Sequence, residues 1–307
     1  VNTSSSSFQS EDEWTARLER LLSKRSDIKV GVGDDAAVVK SPGLDFDVVY
    51  TTDAVVESVH FLPGTEPRRI GHKMVGRLLS DLAAMGAEPD HILLNLVVPA
   101  GCPAISLEQI YEGAEQLAKA FGASIVGGDT MKSTPLALHG FASGRLPAGS
   151  ALLRSGAKPG DRLYVTGRLG GSMIGKHLDF TPRVAEGIWL RKSGWVTAMM
   201  DISDGLSMDL PRMCAKSGVG ACVNADDVPV TKDTDLNHAL CDGEDYELLF
   251  TVKPEQAAAF EQAWIGFSKL PCTCIGEMQG GPDKLELILP NGSLQPFTSA
   301  GYDHLEH

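Results

Sequence analysis

The sequence predicts an α/β protein built from two units, each a mixed sheet with helices. Three observations carry that expectation. Strand-length apolar runs alternate with long helical stretches, a polar Gly- and Pro-containing segment at 147–160 interrupts them, and the same alternation resumes beyond it. A chain of 307 residues with 43% hydrophobic content can bury a sizeable core, as one large or two medium domains.

In the first half, apolar runs at 36–39 and 48–52 read as strands, 68–85 as a long helix and 92–98 as a further strand. A second helix is expected at 107–121, with strands at 124–126 and 136–143 closing the unit. Beyond the linker, 162–166, 221–224, 246–252 and 285–289 read as strands, and 209–216 as a helix stopped by Gly218. The expected division is 1–148, 149–304 and a tail of Leu305, Glu306 and His307 resembling the start of a purification tag.

A formal charge of -13, from 40 acidic and 27 basic residues, has the wrong sign for neutralising a nucleic-acid backbone. The most apolar stretch, 92–99, is strand-sized, so no membrane span is expected, and the Ser-rich opening lacks the apolar core of a signal peptide. Six cysteines without paired C-x-x-C spacing read as reduced, buried thiols of a cytoplasmic protein rather than a zinc site.

Five short segments place an acidic residue beside Gly, Ser or Thr where an element meets a turn. They are Gly33-Asp34-Asp35, Thr51-Thr52-Asp53, Ser80-Asp81, Gly127-Gly128-Asp129-Thr130 and Asp201-Ile202-Ser203-Asp204-Gly205. Singly, each is an ordinary cap or Asx-turn. Asp81 breaks that reading, because it sits in an apolar helical run between Leu79 and Leu82, where an unpaired carboxylate would cost several kcal/mol. It calls for a cation. Magnesium fits best, as a hard ion that shares scattered carboxylates with phosphate oxygens and water; zinc would want His and Cys, and an EF-hand loop is absent. Carboxylates approach a triphosphate only with divalent ions between them, so the pattern points to phosphoryl transfer with several Mg2+ ions.

Gly170 to Lys176 matches G-x-x-x-x-G-K after an expected strand, yet His177 replaces the Ser or Thr that a P-loop needs for magnesium. Pro182 then restricts the helix that should follow. A Gly-rich turn opening a helix is the alternative, with amides free to touch a phosphate.

The acidic turns, together with Arg154-Ser155-Gly156-Ala157-Lys158-Pro159-Gly160-Asp161, Gly243-Glu244-Asp245-Tyr246-Glu247-Leu248 and Gly301-Tyr302-Asp303-His304, resemble the thiamine-monophosphate kinase family in order and over nearly the whole chain. Ser80 to Ala87 and Gly243 to Leu248 are the most specific runs. The resemblance implies the two-domain fold of the aminoimidazole-ribonucleotide synthetase superfamily, with an N-terminal domain that binds Mg and ATP and forms a homodimer, and a C-terminal domain that closes the site. It also implies transfer of the ATP γ-phosphoryl to thiamine monophosphate. By position, Asp35, Thr51, Thr52, Asp53, Asp81, Asp129, Asp201 and Asp204 are the implied magnesium residues, with Asp81, Asp129 and Asp204 at the centre of catalysis. Gly128, Arg154 and Ser203 are implied to face the nucleotide, and His60, Glu244 and Tyr302 the acceptor.

The acceptor nucleophile is a phosphate oxygen with a second pKa of about 6, so no general base is required and His60 reads as a positioning group. Within the superfamily, a selenophosphate synthetase would carry a reactive Cys early in the chain, and none precedes Cys102. A hydrogenase-maturation relative would end in Cys, and an aminoimidazole-ribonucleotide synthetase would lack the run Asp201 to Gly205. A catalytically silent nucleotide-binding regulator is the alternative of a different class.

Overall fold

The structure, a computed structural model, describes residues 10–22, 25–282 and 284–298. Its first half runs α1 (Glu11–Leu21), β1 (Ile28–Val30), β2 (Ala37–Lys40), β3 (Phe46–Val56), α2 (Pro67–Ala84), β4 (Glu88–Val98), α3 (Ala104–Ala120), β5 (Ser124–Lys132) and β6 (Ala137–Pro147). The six strands form one sheet in the order β1-β2-β3-β6-β4-β5, antiparallel except where β4 and β5 run parallel.

The second half runs β7 (Arg162–Thr166), α4 (Val184–Ser193), β8 (Val196–Ile202), α5 (Leu206–Ser217), β9 (Gly220–Asn224), α6 (Leu236–Cys241), β10 (Glu247–Val252), α7 (Ala257–Phe267), β11 (Cys272–Gln279), β12 (Leu285–Ile288) and β13 (Leu294–Pro296). These seven strands order as β13-β12-β9-β11-β7-β10-β8, with only β9 and β12 parallel. Both faces of this sheet are covered. Along β7, Tyr164 joins one apolar cluster while Leu163 and Val165 join another, as period-2 alternation requires.

The first of those clusters also contains Val49, Leu78 and Leu79, so the two halves share a core. Helix α2 carries it. Pro67 occupies its first turn, the Glu66 carboxylate accepts from the Arg68 amide at 3.3 Å, and Gly86 (φ 69°) ends it in a left-handed turn where the Ala87 amide bonds to Leu82 O. Ile70, Met74, Val75, Leu78, Leu79 and Leu82 are buried on one half of the helix, and Gly76, Ala83 and Ala84 are buried on the other, so it is packed right round. Helix α3 packs against it through two glycines: a Cβ on Gly71 would sit 1.9 Å from Ile110 O, and one on Gly113 1.9 Å from Arg68 O.

The sheet of the first half is covered on one face only. On β3, Val49, Thr51 and Val55 are buried, whereas Tyr50 and Thr52 point to the open face, where Tyr50 stacks on Phe141 at 5.6 Å. The expected strands and helices are present, several with longer bounds, but α1, β1, α4, β8, α6, α7, β11 and β13 were not anticipated. Helix α7 buries only Phe260 and Trp264 and α4 only Val184, Gly187 and Leu190, too little for a clear period in the sequence. Among the described residues no helix is long and apolar enough to cross a membrane.

Gly113→Ala is expected to push α3 off α2 and lower unfolding stability by about 1–3 kcal/mol. A urea midpoint unchanged from the parent would show that the two helices are not locked by this backbone contact.

Candidate active site

Lys73, Arg77, Ser80 and Asp81 are spaced i, i+4, i+7 and i+8 on α2, which places them in one stripe along a helix that is otherwise apolar from Met74 to Ala84. The stripe lies where β3 of the first sheet and β8 of the second approach. The Thr51 hydroxyl donates to Asp81 Oδ2, and Ser80 Oγ donates to Asp201 Oδ2 at 2.5 Å. Arg77 grips Asp53 through Nε and through Nη2, the latter at 2.8 Å. Asp35, from the turn before β2, accepts from Arg154 Nη2 at 2.6 Å, while its Oδ2 is buried without a hydrogen-bond partner.

These carboxylates disturb one another. Burial, then the charges of Asp201 and Asp53, pushes Asp81 well above the usual carboxylate range, against the Thr51 hydrogen bond. Asp201 is raised to about 7 by burial and by Asp35, partly offset by Ser80 and Arg154. Asp34, whose carboxylate accepts from the Arg154 amide, is raised to about 7 by burial and by Asp35.

On the second sheet, the chain leaves β8 through Ser203, Asp204 and Gly205 into α5. Buried Asp209 holds that turn by accepting from the amides of Ser203 (3.1 Å) and Asp204 (3.0 Å), and Arg212 bridges Asp209 and Asp204. Arg77, Arg154, Ser203, Asp204 and Arg212 line a cavity of about 470 Å³. Its far wall is α1, whose Asp12 pairs with Arg212 and whose Glu19 pairs with Lys216.

At the other end of the stripe, Glu244 sits in a turn where Gly243 (φ 70°), Glu244 (φ 53°) and Tyr246 (φ 51°) are all left-handed. For the two non-glycine residues this conformation costs on the order of 1 kcal/mol each, and such strain gathers at functional sites. Lys73 Nζ (2.6 Å), His177 Nδ1 (2.8 Å) and Arg77 Nη1 (3.2 Å) surround the Glu244 carboxylate. Burial would raise its pKa, but these partners outweigh it and hold the group at about 2. His60 is buried on the adjoining loop, with Nδ1 accepting from the Val56 amide at 3.1 Å.

The structure thus gathers Asp35, Thr51, Asp53, Asp81, Asp201, Asp204, Arg154 and Ser203 at one end of the stripe, and His60 and Glu244 at the other. It does not bring Thr52, Gly128 and Asp129 to them. Those three line a separate cavity on the open face of the first sheet, with Asn95, His139 and Phe141. The reason is strand alternation: Thr51 and Thr52 are consecutive on β3 and must point to opposite faces. Tyr302 lies outside the described residues. The expected helix after Gly170 is also absent, replaced by two short 3-10 turns at Ser172–Ile174 and Lys176–Leu178. Its Gly-rich amides are taken internally, Gly170 by Asp245 and Gly171 by Asp242, so they are not free for a phosphate.

Among the described residues, no three His, Cys, Asp or Glu side chains converge tightly enough to enclose one ion. The donor set nevertheless fits magnesium: all are hard oxygens, buried Asp35 Oδ2 lacks a partner, and such ions complete their shells with phosphate and water. Sequence reasoning missed Lys73, Arg77, Asp209 and Arg212. The test that singled out Asp81, a charge within an apolar helical run, applies equally to Lys73 and Arg77 on the same helix.

Residues 33–146 match the model of the AIR synthase related protein N-terminal domain, and residues 176–287 that of the corresponding C-terminal domain. Fold and site therefore define a two-domain AIR synthase-related protein. A thiamine-monophosphate kinase from Salmonella typhimurium is 36% identical over 94% of this chain and 95% of its own length, and one from Rhodopirellula baltica 35% over 92% and 96%. A solved structure described as AaThiL complexed with AMPPCP and TMP superposes with TM-score 0.81 at 26% identity, covering 96% of this chain and 97% of that one. The chain belongs to the thiamine-monophosphate kinase family.

Asp81→Asn removes one of several crowded negative charges, so it is expected to raise the melting temperature of the metal-free protein. The same variant should lose the stabilisation that Mg2+ with nucleotide gives the parent, and lose turnover. Calorimetric melts with and without Mg2+ and AMPPCP check both; a variant that still responds to metal as the parent does would remove Asp81 from the site.

Proposed function

We propose that this chain transfers the γ-phosphoryl group of ATP to thiamine monophosphate, giving thiamine diphosphate and ADP, with several magnesium ions held by its carboxylates. The observation that carries this reading is the convergence of Asp35, Asp53, Asp81 and Asp201 on the stripe of α2, beside a cavity lined by Arg77, Arg154 and Arg212. Family membership supports the substrate pair, and a relative of the same fold is described as complexed with AMPPCP and TMP.

In the reaction, an oxygen of the acceptor phosphate attacks the γ-phosphorus while the bond to the β–γ bridging oxygen breaks and ADP departs with that electron pair. The acceptor oxygen is already ionised near neutral pH, so no side chain has to remove a proton. Magnesium supplies charge neutralisation of the phosphates and of the transition state. Asp35, Thr51, Asp53, Asp81, Asp201 and Asp204 would hold it. Arg154 and Ser203 orient the nucleotide, and His60, Glu244 and Tyr302 the acceptor. Glu244, held ionised, suits the cationic thiazolium end of thiamine.

In the same reading, residues 1–148 bind Mg and ATP and dimerise, and 149–304 close over the substrates. A second copy covers the open face of the first sheet, where Tyr50, Leu93, Val126 and Phe141 are exposed. The enzyme works in the cytoplasm.

Phosphorus NMR of the protein with magnesium ATP and thiamine monophosphate should show ADP and thiamine diphosphate appearing together, and neither with chelator. Unchanged ATP would favour a silent nucleotide-binding regulator; ATP consumed without thiamine diphosphate would point to another acceptor.

A further inference from the structure

Lys73 has no solvent-exposed surface, and its ammonium is bonded on all sides. Nζ lies 2.6 Å from His60 O, 2.6 Å from Glu244 Oε2 and 2.7 Å from His177 Nδ1, so polar atoms from three separate segments converge on it, the first two as acceptors. His60 belongs to the loop after β3, His177 to a 3-10 turn of the second half and Glu244 to the left-handed turn before β10. Lys73 is thus the point at which the two segments expected to face the acceptor are tied to one atom.

A purely structural explanation fits poorly. A buried ion pair is weak grounds for stability, because removing two charges from water costs several kcal/mol and apolar replacements are often neutral or stabilising. Here that cost falls beside a second one, the left-handed backbone of Glu244. Two unfavourable features at one carboxylate are accounted for if the carboxylate must be held in one orientation.

We propose that Lys73 is a positioning residue for the acceptor substrate, acting through Glu244: it fixes the Glu244 carboxylate and the His60 loop in a single arrangement across the boundary between the two halves. The inference rests on the functional reading above. It adds that recognition of the acceptor, and not of the nucleotide, depends on a helix residue that touches neither. Arg77, one turn along α2, contacts Glu244 Oε1 and leaves Oε2 to Lys73 and His177, so loss of Lys73 loosens one carboxylate oxygen, left to His177 alone, without removing every partner of the group.

The geometry also gives a pH signature. Burial lowers the Lys73 pKa to about 8, with Glu244 opposing the shift, Arg77 adding to it and Asp53 opposing it. His177 and the His60 carbonyl are the other groups that face the ammonium. As pH rises through about 8, Lys73 loses its proton and Glu244 loses its nearest cation. The acceptor phosphate is fully ionised over that range, so its own titration does not interfere.

The test uses the full chain as Lys73→Met, Glu244→Gln and the double variant. KM is measured for each substrate from pH 7 to 9, and thiamine monophosphate binding to the AMPPCP-loaded protein by calorimetry. Lys73→Met should raise KM and Kd for thiamine monophosphate about tenfold and leave KM for ATP within about twofold. In the Glu244→Gln background the same substitution should add less than about twofold, since its route is already broken. The parent KM for thiamine monophosphate should rise above about pH 8, and this rise should vanish in Lys73→Met. Equal loss for both substrates, full additivity with Glu244→Gln, or a parent KM flat to pH 9 would each overturn the proposal. The parent measurement stands even if the variant fails to fold. A parent with no turnover of thiamine monophosphate would instead count against the functional reading itself.

Discussion

The structure depends on a single helix being buried on all sides while carrying four polar side chains in a row. Helix α2 fills the core shared by both sheets, so its length and position are set by packing, and its glycine contact with α3 leaves little room to slide. Because the helix is fixed, the stripe of Lys73, Arg77, Ser80 and Asp81 is fixed with it, and groups from both sheets are placed by reference to that stripe. Thr51 and Asp53 come from the first sheet, Asp201 and the Glu244 turn from the second half; Thr51 meets Asp81, Asp201 meets Ser80, Asp53 meets Arg77, and Glu244 meets both Lys73 and Arg77.

Much of this was legible in the amino-acid sequence. Long, strongly periodic segments such as α2 and α3, and apolar strands such as β7 and β10, declare themselves because burial imposes a pattern. The weak elements did not. Helix α7 is apolar nearly throughout yet buries little, and β8 is masked because its period-2 signal is lost when both faces of the sheet are covered. In the site, acidic turns are visible as motifs, but the cations that pair with them are scattered and carry no motif. Arg212 is found only once α5 is built, since its partner Asp204 lies eight residues away across a turn held by Asp209. Conversely, the sequence run at Thr51 and Thr52 looks like one ligand pair, whereas strand geometry sends the two hydroxyls to opposite faces.

Electrostatics explains why the pairing takes this form. Asp53, Asp35 and Asp204 each meet one arginine, from α2, the segment between the sheets and α5 respectively. A guanidinium offers a planar fork of donors that matches a carboxylate, and it keeps its charge at any pH the protein meets. Asp81 and Asp201 are different: their hydrogen bonds come from neutral hydroxyls, and both are pushed toward the protonated form. The fold therefore neutralises the rim of the carboxylate cluster with arginines and leaves its centre under-compensated, as a site that awaits multivalent cations requires.

The same logic accounts for the Gly-rich segment that resembles a phosphate loop. Backbone amides bind phosphate only when they are unengaged, and here Gly170 and Gly171 are saturated by Asp245 and Asp242. Those bonds anchor the turn that presents Glu244, which makes the segment a support for the acceptor end and not a nucleotide cradle. The two ends of the stripe, Lys73 and Asp81, are eight residues apart, or about 12 Å at the helical rise. Arg77 stands midway, touching Asp53 on one side and Glu244 on the other. A reaction between two phosphates needs one end that tolerates metal-bound anions and another that holds a cationic organic group, separated by roughly the length of the reacting chain. One rigid helix meets that requirement without either sheet having to measure the distance.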